Sequence, residues 1–248
     1  MKNLSYKKQK NRFVLIGKSL FSYLILKRLI KLKIQICGVA TLKSKDDNDD
    51  FFDLSKICRQ KKIPLHKTNN INNIKSVKWI IDKKPNFIFC FGWSQLIKGK
   101  LVKVYKNKII GFHPTKLPNN RGRSPLIWSI LLNIKKSAIT FFYINKGVDD
   151  GKLIDQSDFF ISNNETSKSI YSKICKLALK RIPILIDKIN RGFYLKTKKK
   201  NQNNSGNIWR KRVYSDGIID WRMTSKNIIE LINALGKPYC GASLIFNN

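Results

Sequence analysis

IIGFHPTKLPNNRGRSPLIWSILLNIKKSAITFFYINKGVDDGKLIDQ, residues 109–156, is the stretch around which the rest of the chain is organised. Ile109, Ile110 and Phe112 are the end of an apolar run of the kind that makes a buried strand, so His113 stands where that strand leaves its sheet. In open α/β sheets this edge is where ligands bind. Pro114 and Pro118 bar regular structure, while Thr115, Lys116 and Leu117 between them offer backbone and side-chain polar groups beside the imidazole. A helix is expected over 125–132 and a strand over 139–144, which runs into the acidic turn Gly147, Val148, Asp149, Asp150, Gly151. His113 and Asp149 thus both follow strand ends, where two remote segments can converge.

Upstream, an apolar strand over 12–16, an amphipathic helix over 19–32 and a second strand over 34–39 make a βαβ opening of the doubly wound kind. Gly17 and Gly38 do not form the Gly-x-Gly-x-x-Gly fingerprint, so no nicotinamide dinucleotide is implied. An acidic loop over 46–53 leads to a helix at 54–62, a short strand at 63–65 and a helix at 74–83. A strand over 86–91 is broken at its carboxyl end by Gly92, Trp93 and Ser94. Gly92 lets backbone approach a planar ligand; Trp93 is either a ring platform or core. A helix over 96–105 leads into the strand that carries His113.

Downstream, a long helical pattern over 165–188 contains Pro183, which is expected to bend its last turns. Residues 196–207 read as a polar linker, and Trp209 to Trp221 as a turn and strand. A helix over 224–235 is capped by Thr224 or Ser225 and stopped by Gly236. This divides the chain into a catalytic domain at 1–190, a linker at 191–207 and a short extension at 208–248.

With 248 residues, 42% of them apolar, the chain can bury a sizeable core. Its formal charge of +35 suits a polyanionic partner, but Lys recurs along the whole chain rather than on one stripe, which is also what a compositional bias produces. A basic nucleic-acid-binding protein on an α/β scaffold therefore stands as a nonenzymatic alternative, although no known nucleic-acid module is present. Cys37, Cys58, Cys90, Cys175 and Cys240 are odd in number, far apart and without a Cys-x-x-Cys pair; they read as reduced thiols in a cytosol, with no zinc site. His66 is the only other histidine, which leaves little from which to build a metal centre. The apolar stretch 20–34 is interrupted by Lys27, Arg28 and Lys31 and cannot span a bilayer.

The ordered set His113, Thr115-Lys116-Leu117-Pro118, Arg121-Gly122, Pro125 and Gly147-Val148-Asp149-Asp150-Gly151 resembles the family of formyltransferases that use 10-formyltetrahydrofolate, both the methionyl-tRNA and the sugar N-formyltransferase branches. The tail resembles it too, through Asp216-Gly217-Ile218-Ile219-Asp220-Trp221 and Pro238-Tyr239-Cys240-Gly241-Ala242. The resemblance implies a cytoplasmic enzyme with a Rossmann-like, mostly parallel sheet, helices on both faces and a short C-terminal α+β appendage. It implies His113 and Asp149 as catalytic residues, no metal, and a folate held by Gly92, Trp93, Thr115, Lys116, Leu117, Pro118, Gly147 and Val148. An amino group on a sugar nucleotide is the acceptor that the short tail favours. Initiator methionyl-tRNA is the rival, although the β-barrel that follows in that branch is missing, and glycinamide ribonucleotide fits less well. A homodimer is expected from relatives. One position departs: the Asn of the family's triad falls on Gly111, for which Ser94, Gln95 and Asn119 are substitutes by loop proximity, and a catalytically weak relative with a binding role is the further alternative.

Overall fold

The computed structural model of the protein describes residues 11–43, 51–192 and 206–245. The basic N-terminus, most of the expected acidic loop (46–50), and the Lys196 to Lys200 run with its linker up to residue 205 lie outside the described residues. The chain runs β1 (Arg12–Ile16), α1 (Leu20–Lys31), β2 (Gln35–Thr41), α2 (Ser55–Gln60), β3 (Leu65–Lys67), α3 (Ile74–Asp82), β4 (Phe87–Cys90), α4 (Lys100–Val104) and β5 (Ile109–His113). It continues through β6 (Arg121–Gly122), α5 (Pro125–Leu131), β7 (Lys136–Tyr143), β8 (Leu153–Phe160), α6 (Ser167–Asn190), β9 (Ile208–Trp209), a 3-10 turn (Tyr214–Gly217) and α7 (Ser225–Leu235).

Seven strands form one sheet in the order β3-β2-β1-β4-β5-β7-β8. The first five are parallel, while β7 runs antiparallel to β5 and β8 antiparallel to β7. Alternation within β1 sorts its side chains between two cores. Phe13 and Leu15 join Phe87 and Phe89 under α1, α5, α6 and α7, whereas Val14 and Ile16 join Ile88 and Ile109 under α3 and α4. Helices therefore cover both faces, as a parallel sheet requires. The first core holds a file of rings, with Phe13 and Phe89 at 4.8 Å and Phe89 and Phe91 at 4.9 Å between centroids. Each buried Phe contributes roughly 1.5–3 kcal/mol by leaving water.

The helix starts follow local chemistry. Ser19 caps α1, Asn73 α3, Thr166 α6 and Thr224 α7, each side chain accepting from a backbone N–H of the first turn. Three expectations shift. β3 begins after Pro64, whose missing N–H suits a strand entry and not a strand interior. α4 is one short helix rather than ten residues, because Gly99 turns the backbone at φ +61° immediately before it, and Leu96 and Ile97 go to a loop. His113 is the last residue of β5, paired with Thr140, rather than the first beyond it. β8 was not foreseen: its LIDQSDFF run has mixed polarity, as befits the sheet's edge.

From β1 the chain goes outward to β2 and β3, then returns to the other side of β1 with β4. Between β1 and β4 the strand order reverses, and the crevice beyond their carboxyl ends is the favoured ligand position in such sheets.

Candidate active site

A cavity of about 620 Å³ opens at that reversal, walled by the turns after β1, β4 and β5, the acidic turn after β7, and the tail around β9. Gly92 follows β4 at φ +67°, and a Cβ there would lie 2.1 Å from Ser19 Oγ; only glycine lets the β4 turn pack on the α1 cap. Trp93 also lines the cavity, and its buried indole N–H has no acceptor among the described residues.

His113 is delivered by β5 and is buried. Its Nε2 lies 2.9 Å from the carbonyl oxygen of Asn120. A carbonyl can only accept, so Nε2 carries a proton and Nδ1 is the nitrogen left to face Asp149. Asp149 approaches through the turn after β7, with its own φ at +49°, a conformation that Asp tolerates. Its Oδ2 lies 3.5 Å from His113 Nδ1 and accepts from Gly122 N–H at 2.9 Å. The two residues singled out from opposite ends of the stretch thus meet, and one backbone donor fixes the carboxylate. Gly122 has φ +101°, and a Cβ on it would stand 2.3 Å from the carbonyl oxygen of Trp209. Glycine here lets β6 sit against β9 and aim its N–H at Asp149.

Of the other expected residues, Gly147 and Val148 line the cavity with Gly92 and Trp93. Thr115, Lys116, Leu117 and Pro118 are not among its lining residues; they stand behind His113. Thr115 Oγ1 donates to Asn120 O at 2.9 Å, the same carbonyl that receives His113. Thr140 Oγ1 donates to Thr115 O, and Gln156 Nε2 to Leu117 O, so β7 and β8 anchor this loop. Lys116 pairs at the surface with Asp158. Asp150 folds over Gly147 and is absent from the cavity lining.

Arg121 is buried and donates to Gly206 O, tying the tail to β6, while Arg123 lines the cavity and donates to Ser94 O. Arg210 and Lys211 line it from the tail, Lys18 and Lys146 from the turns after β1 and β7. Arg210 and Arg212 both lie against Trp128, at 5.5 and 5.1 Å from the ring centroid, and Asp216 holds Arg210 with two bonds of 2.6 Å. These tail cations escaped the reading of the sequence because Lys and Arg are everywhere in it; only the β6–β9 pairing selects them.

A family model described as Formyl transferase matches residues 12–186. The chain belongs to the formyl transferase family. Among characterised relatives it is similar to the bifunctional polymyxin resistance protein ArnA of Wigglesworthia glossinidia brevipalpis, at 31% identity over 227 residues, which are 89% of this chain and 34% of that protein. The chain therefore spans about a third of the length of that relative. Its fold is similar to that of WlaRD, a sugar 3N-formyl transferase whose crystal structure was determined in the presence of dTDP and 5-N-formyl-THF: TM-score 0.71, 24% identity, 97% of this chain and 84% of that one. A sugar N-formyltransferase from Shewanella sp FDAARGOS_354 aligns with TM-score 0.72 at 17% identity, over 96% of this chain and 94% of that one.

Within the site the substitutes weighed for Gly111 fare differently. Gln95 is engaged, its Oε1 accepting from Ile71 N and its Nε2 donating to Asn69 O. Asn119 is absent from the cavity lining and Ser94 is present in it. The thiol of Cys90, beside Gly111 across the β4–β5 pair, is also in the lining; burial, and next the charge of Asp149, push it up to about 12, so it stays protonated and inert. Cys58 and Cys175 are likewise buried free thiols.

Proposed function

We propose that the protein transfers a formyl group from 10-formyltetrahydrofolate to the amino group of a nucleotide-linked amino sugar. The observation that carries this is the meeting of His113 and Asp149 at a cavity whose remaining wall is rich in cations. The amine nitrogen attacks the formyl carbon, and the carbonyl pair moves onto oxygen. The imidazole of His113, faced by Asp149, stabilises that oxygen. The amine proton passes by way of Asp149 to N10 of the departing tetrahydrofolate, whose bond to carbon breaks as the carbonyl re-forms. In this reading the pterin lies against Gly92, Trp93, Gly147 and Val148, with the loop Thr115 to Pro118 holding His113 in place. The acceptor's diphosphate faces Arg123, Lys146, Arg210 and Lys211, which supports a phosphorylated acceptor over a neutral one.

The proposed division keeps 1–190 as the catalytic domain, 191–207 as linker and 208–248 as an extension that contributes the cationic wall, in a cytoplasmic protein that pairs as a homodimer. The +35 charge favours initiator methionyl-tRNA as the second reading. The test is product mass after incubation with 10-formyltetrahydrofolate and a panel of 3-amino and 4-amino sugar nucleotides alongside charged tRNA. Formylation of a sugar nucleotide, lost in His113→Ala, is the expected result. Formylation of the tRNA alone selects the second reading, and an undiminished rate in His113→Ala removes the imidazole from the mechanism.

A further inference from the structure

Residues 109, 111 and 113 of β5 share one face, so a side chain at position 111 would project beside the imidazole of His113. Position 111 is glycine, and the space is not empty. A Cβ built there stands 2.7 Å from Cζ and 2.9 Å from Cε1 of Phe142, and 3.0 Å from Cγ1 of Ile144. Phe142 is the residue paired with Gly111 across the β5–β7 ladder, and it is 4% exposed, so its ring cannot swing aside without disturbing the wall. Gly111, His113, Phe142 and Ile144 all line the cavity.

Sites that stabilise a developing oxyanion commonly converge two or more donors on it, and removal of one costs on the order of a hundred- to a thousandfold in rate. From this strand the cavity receives one donor, His113, with an aromatic ring where a second would stand. We infer that Phe142 is a rate-setting residue of this site: its ring holds the place of a side chain at position 111 and makes that part of the wall apolar. The inference rests on the formyl-transfer reading for its kinetic half only, since its steric half concerns packing alone. Gly111 and Phe142 are a linked pair, and neither can be changed to a polar-donor arrangement without the other.

The test is a cycle of Gly111→Asn, Phe142→Ala and the double variant, read both by thermal melting and by formyl transfer. Phe142→Leu serves as the partner variant should the alanine protein not fold. Gly111→Asn alone is expected to lower the melting temperature and leave kcat at or below the parent value. With the ring removed, the amide side chain introduced by Gly111→Asn is expected to be tolerated, and kcat to rise on the order of tenfold to a hundredfold over the Phe142→Ala protein, with KM changed by less than about threefold and the gain abolished by His113→Ala. An equal melting penalty for Gly111→Asn in both backgrounds overturns the inference, whatever the transfer assay reads. The steric coupling without the His113-dependent gain overturns its kinetic half. Absence of transfer from the parent, the Phe142→Ala protein and the double variant together, with the steric coupling intact, counts against the formyl-transfer reading instead.

Discussion

Replacing Asp149 by Asn removes the charge facing His113 while sparing the turn. The amide oxygen still accepts from Gly122 N–H, now 2.9 Å from Oδ2, and Asn adopts the observed φ of +49° as readily as Asp. What is lost is the attraction between the carboxylate and a protonated imidazole. At the observed 3.5 Å it is worth about 5 kcal/mol at an effective dielectric near 20. The side chains are only 19% and 6% exposed, so solvent screens little of it. Desolvation of the pair offsets roughly half, leaving about 2–3 kcal/mol. If that attraction is felt in the transition state and not before, the variant slows transfer by roughly 30- to 150-fold.

The measurement is single-turnover formyl transfer by quench and mass, for the parent, Asp149→Asn, His113→Ala and the double variant. Because the carboxylate acts through the ring, the Asn substitution should cost little further rate once His113 is gone. An Asp149→Asn protein within threefold of the parent, or a penalty undiminished in the His113→Ala background, refutes the coupling. Matching melting temperatures for parent and variant separate the charge effect from a folding defect.

Two further outcomes concern the scaffold. Burial pushes the Asp155 carboxyl up, but hydrogen bonds from Arg181 and Lys188 outweigh it and hold its pKa below the ordinary value, so its stabilisation is full above about pH 4 and is lost as pH falls through the lowered value. Asp155→Ala is expected to cost about 2–3 kcal/mol at neutral pH, less than a fully buried pair because both cations reach solvent, and the gap in melting temperature should close progressively in acid. Gly122→Ala forces a Cβ against Trp209 O and strains a φ of +101°; it should lose about 1–3 kcal/mol of stability and, through Asp149, more activity than Asp155→Ala does at equal stability, as paired melting and transfer assays would register.

The strands β1, β4 and β5 were legible because a parallel sheet buried on both faces demands apolar runs, and the chain supplies them in RFVLI, FIFC and IIGFH. His113 and Asp149 were legible as individuals, since a His at a strand end and an Asp in a glycine-flanked turn have local causes. Their meeting was expected from the two strand ends and from the resemblance, but the geometry that brings it about, β7 running antiparallel beside β5, is specified by no local pattern. β8 stayed hidden because its stability comes from pairing with β7 and its polarity does not alternate cleanly: Asp155 is buried against Arg181 and Lys188 while Phe160 is exposed. The tail cations were invisible for a different reason: in a chain with 50 Lys and Arg, charge carries no positional information until topology supplies it.

The tail is part of the site's mechanics as well as its wall. Trp209 is buried, and its carbonyl and N–H flank Gly122 in the β6–β9 pair. Gly122 in turn presents the N–H that positions Asp149, and Asp149 faces His113. Meanwhile α7 places Leu231, Ala234 and Leu235 in the same core as α6, and Ser167 Oγ donates to Ala234 O at 2.6 Å. That helix is held by the main core, while β9 is held by its pairing with β6, whose Gly122 N–H bonds the carboxylate. The path from the tail to the carboxylate that faces His113 thus runs from Trp209 through one glycine and one hydrogen bond.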